Sequence, residues 1–276
     1  MICDIYCDFI RAVHHWTVPG CENRHNPDVP SGEVAVFFDH MVLDDKRRWA
    51  YNTKFAFLFE PRAKYPDNYE CVERYAEEFQ RIFTCNRALV EKLPNAQFEP
   101  FGTGWCAGAP RHEKTEMIGM IISDKPKPDS RLEGWRLRYA AAQEMLARGL
   151  PVKGSGVGPR VPRCEVITPA QFAVEAENCI EPCYFTEKLV DCLLQKTVPL
   201  YWGPGCIAEF FDVRGILIWR NIEELRAHLN HIAAGTVRYE DFEEVLERNR
   251  KAAYPLASST SRWLPLVAKE LSCLSS

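Results

Sequence analysis

The sequence contains no run of about 20 apolar residues, the length that crosses a bilayer as a helix. It begins MICDIYCDFIRAV, with no basic segment ahead of an apolar one, so we expect neither a signal peptide nor a membrane anchor. An excess of positive charge is also absent, because 34 basic and 38 acidic residues give a formal net charge of -4. We therefore expect a cytoplasmic protein with no nucleic-acid or membrane partner.

The twelve cysteines include no Cys-x-x-Cys pair, so a zinc or disulfide framework is not expected. Several lie in apolar stretches, such as Cys192 in LVDCLLQ, where a reduced thiol packs as a small hydrophobe. His14, His15, Asp39 and His40 lack the spacing of known metal ligands, and a loop pair beside a polar strand end explains them better. Asp39 or His40 could instead contact a substrate. We expect no metal and no cofactor.

Short apolar runs alternate with helical patterns along the chain, which predicts an α/β fold with parallel sheets. The glycine-rich segment GSGVG (154–158) matches neither a P-loop nor G-x-G-x-x-G, and we interpret it as a turn. In the first half of the chain we predict strands over 2–9, 33–40 and 54–60, a helix over 69–83, a strand starting in QRIFTCN and a short helix in RALVEKL.

The pattern restarts after a glycine-rich passage at 101–115, which we interpret as a linker. Beyond it we predict a strand over 117–124, a helix over 136–149 ending at Gly149, a strand in PAQFAVEAEN, a helix over 186–196 capped by Thr186, strands in VPLYWGP and GILIW, and a helix closed by Gly235. This division predicts two Rossmann-like domains, residues 1–110 and 111–276, facing a central cleft that holds a nucleotide-type ligand.

The clearest chemical signal is the tripeptide Thr186-Glu187-Lys188. It occupies the first turn of a predicted helix, where free backbone amides, the positive helix end and one ammonium group come together. This combination suits a diphosphate, and the carboxylate of Glu187 suits the hydroxyls of a ribose or a sugar. An ordinary exposed lysine is the alternative interpretation of Lys188.

The surrounding stretch, residues 171–211, resembles the donor-binding signature of the α-1,3-fucosyltransferases, glycosyltransferase family ten. In that family F-x-x-x-x-E-N is followed by Y-x-T-E-K, a helix and a v-P-v-x-W/G-G turn. The matching residues here are Phe172, Glu177, Asn178, Tyr184, Thr186, Glu187, Lys188, Pro199, Trp202 and Gly203. Weaker similarity in KFAFLFEPR, LRYAAAQEML and VKGSG extends the resemblance over roughly residues 50–225.

The resemblance implies a GT-B fold and an inverting transfer of a sugar, fucose from GDP-fucose, to a hydroxyl of a glycan acceptor. It assigns donor contacts to five residues: Arg138, Asn178, Tyr184, Glu187 and Lys188. Glu60 would be the general base, because an inverting transfer needs a carboxylate that takes the proton of the attacking hydroxyl. Arg138 and Lys188 would meet at the departing diphosphate and neutralise it without a metal.

Two departures from the family pattern concern the substrates. The family's base lies in a G-E-N-like context, whereas here the sequence is Phe59-Glu60-Pro61-Arg62. Phe185 also replaces a small β-branched residue beside the sugar pocket. Another donor such as UDP-xylose therefore stays open, as does a nucleotide-sugar or glycan-binding protein that does not catalyse transfer.

Plainer interpretations exist for two of the charged side chains. Glu60 could be a solvated carboxylate at a strand end, with Arg62 as its salt-bridge partner. Arg136 and Arg138 lie two residues apart on one helix and so face different directions. One of them is expected to be solvated, and we favour Arg138 as the diphosphate ligand.

Overall fold

The structure is a computed structural model that describes residues 1–7, 16–109, 113–122, 132–154, 161–257 and 259–274. The strands are β1 (Ile2–Tyr6), β2 (Glu22–His25), β3 (Val34–Phe38), β4 (Thr53–Leu58), β5 (Arg81–Thr84), β6 (Ala96–Phe98), β7 (Glu116–Ile122), β8 (Val152–Gly154), β9 (Ala170–Ala176), β10 (Val198–Trp202) and β11 (Leu217–Ile218). The helices are α1 (Asp45–Trp49), α2 (Pro66–Arg74), α3 (Arg87–Lys92), α4 (Glu133–Ala147), α5 (Arg163–Ile167), α6 (Glu187–Leu194), α7 (Ile222–Ala233), α8 (Glu243–Ala253) and α9 (Ser259–Leu274).

The chain divides into two compact units. The first comprises Met1–Phe101, Glu181–Tyr184 and Ser259–Ser276, and the second comprises Gly102–Ile180 and Phe185–Ser258. Each unit contains one parallel sheet, so the predicted α/β class with two parallel sheets is confirmed.

The sheet of the first unit has the strand order β2-β1-β3-β4-β5-β6. Its inner strands read VAVFF and TKFAFL, because both faces of a parallel sheet are covered and alternate residues serve opposite faces. One face, with Phe38, Phe57 and Phe83, packs against α9 through Trp263. The other face packs against α2 and α3.

The sheet of the second unit has the strand order β11-β10-β9-β7-β8. Phe172 and Val174 of β9 and Leu200 of β10 point to one face, where they pack against α4, α7 and α8. On the opposite face Ala173 packs with Cys192 of α6, one of the thiols expected to behave as a small hydrophobe. Both sheets therefore lie between layers of helices.

Several helix ends agree with their sequence signals. Thr186 caps α6, since its hydroxyl accepts the backbone N–H of Lys188 at 3.3 Å. Gly149 and Gly235 follow α4 and α7 with φ angles of 70° and 68°, the left-handed conformation that glycine adopts without a Cβ clash. These three signals are local, so no tertiary contact was needed to interpret them.

The helix predicted over 69–83 is wrong in its extent. Helix α2 covers Pro66–Arg74, a 3₁₀ turn follows at Ala76–Glu78, and β5 begins at Arg81. The periodic apolar positions therefore belong to two elements: Val72 faces the sheet from the helix, whereas Ile82 lies within the sheet. Helical spacing across a short turn imitated a single longer helix.

Two further differences arise at sheet edges and at the C-terminus. β2 lies between the predicted strands 2–9 and 33–40, where we predicted no strand, because its sequence ENRH is polar, as an edge strand allows. Helix α9 packs in the core of the first unit through Leu264 and Val267, although the sequence placed it with residues 111–276. Its apolar face carries no information about which sheet it covers.

The predicted strand ends at 8–9 and 123–124, the pair His14-His15 and most of GSGVG fall outside the described residues. None of the described helices combines the length and the apolar character needed to cross a bilayer.

Candidate functional site

In the second unit, the residues that follow β9 lie at the carboxyl edge of the sheet, where parallel α/β folds place their ligands. The N–H of Glu177 donates to the carbonyl of Trp202 at 2.9 Å, which extends the pairing of β9 and β10 by one step. Asn178 accepts the N–H of Gly134, at the start of α4, at 3.0 Å. This short loop thus connects β9, β10 and α4.

The carboxylate of Glu177 is completely buried and fixes the start of α6. One oxygen accepts the backbone N–H of Thr186 at 2.9 Å and the hydroxyl of Tyr201 at 3.0 Å. The other accepts the hydroxyl of Thr186 at 2.8 Å and lies 3.6 Å from the ammonium of Lys188. The sequence matched Glu177 to the signature without giving it a role, and the structure makes it the residue that holds this turn.

Two side-chain oxygen atoms accept hydrogen bonds from the ammonium group of Lys188. Its ammonium donates to Glu187 Oε1 at 3.0 Å and to Thr186 Oγ1 at 3.1 Å. Burial alone would lower the pKa of Lys188, but the carboxylates of Glu187 and Glu177 outweigh it and raise the pKa. For Glu187, burial acts to raise the pKa, yet Lys188 and Arg163 lower it overall. Both partners therefore stay charged at neutral pH. The side chain of Lys188 is only 14% exposed, which contradicts the plain interpretation of an exposed lysine.

Arg138 lies on α4 with 6% of its surface exposed, whereas Arg136 is exposed. The expectation that one of the two arginines is solvated is therefore confirmed, and the role of Arg138 as a diphosphate ligand stays a prediction. Its guanidinium donates to the carbonyl of Ala176 at 2.6 Å and to Asn178 Oδ1 at 3.2 Å. The charge of Arg138 also acts to lower the pKa of Lys188, so the two cations share one electrostatic neighbourhood. Four of the predicted donor residues, Arg138, Asn178, Glu187 and Lys188, thus gather in the second unit.

A further arginine, Arg163 of α5, connects β9 with α6 through its hydrogen bonds. Its guanidinium donates to Glu175 at 2.7 Å, to Asp191 at 2.8 Å and to the carbonyl of Lys188 at 3.0 Å. Burial raises the pKa of Glu175 to about 7, although Arg163 acts in the opposite direction. Sequence analysis missed Arg163, since it begins a five-residue helix that has no recognisable motif.

In the first unit, Glu60 follows β4 at the carboxyl edge of that sheet. Its Oε1 lies 2.6 Å from the ammonium of Lys64, and its carbonyl accepts the hydroxyl of Tyr69 at 2.8 Å. Arg62 pairs with Glu73 at 2.6 Å, so the suggestion that Arg62 is the salt-bridge partner of Glu60 was wrong. The partner is Lys64, which lies four residues after Glu60 in the chain. Glu60 Oε2 is buried and has no hydrogen-bond partner among the described residues.

Asp39, directly after β3, lies beside Glu60. It is 3% exposed and has a φ of 43°, and its Oδ1 accepts the backbone N–H groups of Phe59 at 2.8 Å and Glu60 at 2.9 Å. Burial first and the charge of Glu60 second raise the pKa of Asp39 to about 8, although the two backbone hydrogen bonds and Lys64 oppose the change.

Tyr184 is in the first unit and is 2% exposed. Its ring lies parallel to that of Phe101, with 6.4 Å between the ring centres. Its N–H donates to the carbonyl of Glu181, whose carboxylate accepts the N–H groups of Arg62 and Ala63 at 3.0 and 2.6 Å. Glu60 and Tyr184 are thus assigned to one unit, and the other four predicted site residues to the second.

Across the described ranges, no three His, Cys, Asp or Glu side chains lie close enough together to hold a metal ion. The ring centres of His40 and Tyr65 lie 6.3 Å apart.

No protein-family model matches the sequence, and neither does any curated protein. Solved structures do match in fold. An α1,3-fucosyltransferase aligns with a TM-score of 0.51 at 12% identity, covering 87% of this chain and 79% of that one. The same kind of enzyme with GDP gives 0.56 at 11% identity, with coverage of 90% and 82%. Sucrose-phosphate synthase from Thermosynechococcus elongatus gives 0.58 at 12% identity, with coverage of 88% and 74%. The chain therefore has the GT-B-like fold of these glycosyltransferases.

The substitution Gly134→Ala should disturb the loop after β9, because a Cβ there would lie 1.8 Å from the carbonyl oxygen of Glu177. We expect the free energy of unfolding, measured in urea, to fall by about 1–3 kcal/mol. Gly205→Ala is the matched control, since nothing lies within 4 Å of its added Cβ. Equal stability of the two variants would contradict the close packing at Gly134.

The pKa of Asp39 predicts how stability changes with pH. The carboxyl binds its proton more tightly in the folded state, at a pKa of about 8 against the ordinary 3.8, so its contribution is complete below the lower value and is lost as pH rises through the higher one. Asp39→Asn should therefore flatten the decline in unfolding free energy, by up to about 1.4 kcal/mol per pH unit between about pH 5 and 8. The exposed Asp67→Asn variant should decline as the wild type does. A D39N curve parallel to the wild type would show that Asp39 titrates normally.

Proposed function

We propose that this protein is a glycosyltransferase that moves a sugar from a nucleoside diphosphate donor to a hydroxyl acceptor with inversion, and that GDP-fucose is its donor. The observation that carries the proposal is the cation arrangement in the second unit. Lys188 is held by Glu187, Thr186 and Glu177, and Arg138 by the loop after β9, at the carboxyl edge of a parallel sheet. Fixed cations at this edge suit a diphosphate.

Each predicted residue then has a defined task. Arg138 and Lys188 neutralise the charge that grows on the diphosphate as its bond to the anomeric carbon breaks. Glu187 and Asn178 orient the donor, and Tyr184 completes its binding, as the family resemblance implies. A pair of cations whose positions are set before the substrate arrives needs little rearrangement during the reaction, and this is the physical source of the expected rate enhancement.

Glu60 acts as the general base. Its Oε1 is occupied by Lys64, so Oε2, which has no partner among the described residues, is the atom that accepts the proton. The acceptor oxygen forms a bond to the anomeric carbon, the bond to the diphosphate breaks, and the electron pair leaves with the diphosphate. The proposal requires Glu60 to reach the acceptor hydroxyl when the donor is bound.

Donor binding is measured by the shift in melting temperature with GDP, UDP, GDP-fucose and UDP-xylose. A ligand at about 100 times its Kd stabilises the native state by about 2.7 kcal/mol, so the correct nucleotide is distinguished readily. Lys188→Met should weaken binding by about 10- to 100-fold, the loss of one charge-assisted hydrogen bond. Lys188→Arg keeps the charge, and Lys251→Met changes an exposed lysine as the matched control. If no nucleotide or nucleotide sugar raises the melting temperature, the donor site is refuted.

Catalysis is tested separately with Glu60→Gln. This change removes the base and keeps the shape, so kcat should fall by about 100- to 10,000-fold while the donor Kd is unchanged. Glu70→Gln, an exposed residue of α2, is the control and should keep wild-type turnover. Full activity of E60Q would exclude Glu60 as the base. Donor binding by a wild type that transfers nothing to any acceptor would instead favour a binding protein.

A further inference from the structure

We propose that Asp39 is the positioning residue for Glu60: its side-chain carboxyl group anchors the backbone at the end of β4 and so sets the direction of the Glu60 side chain. This inference rests on the proposed role of Glu60 as the base. The sequence favoured a polar strand end for Asp39, with contact to a substrate as the alternative, whereas the structure shows both Asp39 Oδ1 hydrogen bonds ending on the backbone of Phe59 and Glu60.

The first argument is the local geometry of Asp39. Its φ of 43° lies in the left-handed region, which non-glycine residues adopt rarely and mainly where the surroundings enforce it. That conformation turns the chain directly after β3, the strand that pairs with β4. The side chain thereby reaches across to the next strand end, where it accepts two successive N–H groups that the sheet ladder leaves unused.

The second argument is how completely Glu60 is held. Asp39 accepts its N–H at 2.9 Å, Tyr69 donates to its carbonyl at 2.8 Å, and Lys64 lies 2.6 Å from Oε1. These contacts come from the turn after β3, from α2 and from the chain just beyond Glu60. The only polar atom of the residue without a partner among the described side chains and backbone is Oε2. Such a hold fits a base that must meet a hydroxyl in one orientation.

The third argument concerns the charges around Asp39, which come from several elements. In the segment after β4, the charge of Glu60 raises the pKa of Asp39 and the charge of Lys64 lowers it. The charge of Asp39 in turn raises the pKa of Tyr69 in α2 and of Cys85 beyond β5. An ionised carboxylate beside Glu60 would be repelled by it, which is one reason why the pKa of Asp39 is raised to about 8. The two backbone hydrogen bonds need only an acceptor oxygen, which a protonated carboxyl group and the amide of asparagine both provide.

Two variants separate anchoring from charge. Asp39→Gly removes the side chain and accepts the left-handed backbone, so the turn itself can still form. Asp39→Asn keeps an oxygen at the Oδ1 position, and asparagine tolerates the same backbone conformation. The two readouts are the amide hydrogen exchange of Phe59 and Glu60 in the full chain, and kcat with KM for the donor.

In D39G we expect exchange at both amides to rise by about 10-fold or more. Its kcat should fall by about 10- to 100-fold at unchanged donor KM, since a misplaced base affects the chemical step and leaves binding intact. D39N should stay within about 3-fold of the wild type in both readouts, because its amide oxygen keeps the anchor.

Unchanged exchange in D39G would overturn the proposal, because Asp39 would then not hold these amides. A D39N variant as slow as D39G would also overturn it, because charge rather than the anchor would matter. If the wild type turns over and D39G equals it, only the role of Asp39 fails. If the wild type transfers no sugar at all, the proposed function fails, and the role of Asp39 in it fails for that separate reason.

Discussion

The arrangement in the second unit depends on the burial of one carboxylate, that of Glu177. A buried charge needs hydrogen bonds and an opposite charge to replace its contacts with water. Glu177 receives hydrogen bonds from the backbone N–H and the hydroxyl of Thr186 and from the hydroxyl of Tyr201, and the ammonium of Lys188 supplies the opposite charge. Because those partners belong to the cap and first turn of α6 and to β10, satisfying Glu177 fixes both elements against the loop after β9. The helix cannot shift along the sheet without leaving a buried charge unpaired.

The charges around Glu177 form a larger network in the same unit. Four carboxylates, Glu175, Glu177, Glu187 and Asp191, lie near three cations, Arg138, Arg163 and Lys188. Buried ion pairs contribute little net stability compared with apolar packing, so such a network is better explained by the positions it enforces. Burial raises the pKa of Glu175 to about 7, although the nearby cations Arg163, Lys188 and Arg138 act to lower it.

In the first unit, Glu60 is fixed by contacts of a different kind. Glu60 is held by neighbours that are close in sequence, Lys64 and Tyr69, and by one side chain from the adjacent strand end, Asp39. Most side chains on the two faces of the sheet are apolar, although Asp4 of β1 is buried and pairs with Arg24. Asp39 and Glu60 follow the carboxyl ends of β3 and β4, as Glu177 and Asn178 follow that of β9.

The sequence alone determined the features that are local in origin: the strand-helix alternation, the Thr186 cap and the helix-ending glycines. The family resemblance, and no local signal, grouped Asn178, Glu187 and Lys188 as predicted donor residues. Periodicity and capping act within about two helical turns, so they can be interpreted without knowing what packs where. The tertiary structure decided which sheet α9 covers, where α2 ends, that Lys64 rather than Arg62 pairs with Glu60, and that Asp39 and Arg163 hold their neighbours. Each of these depends on chain segments brought together by folding, and no pattern along the sequence records that proximity.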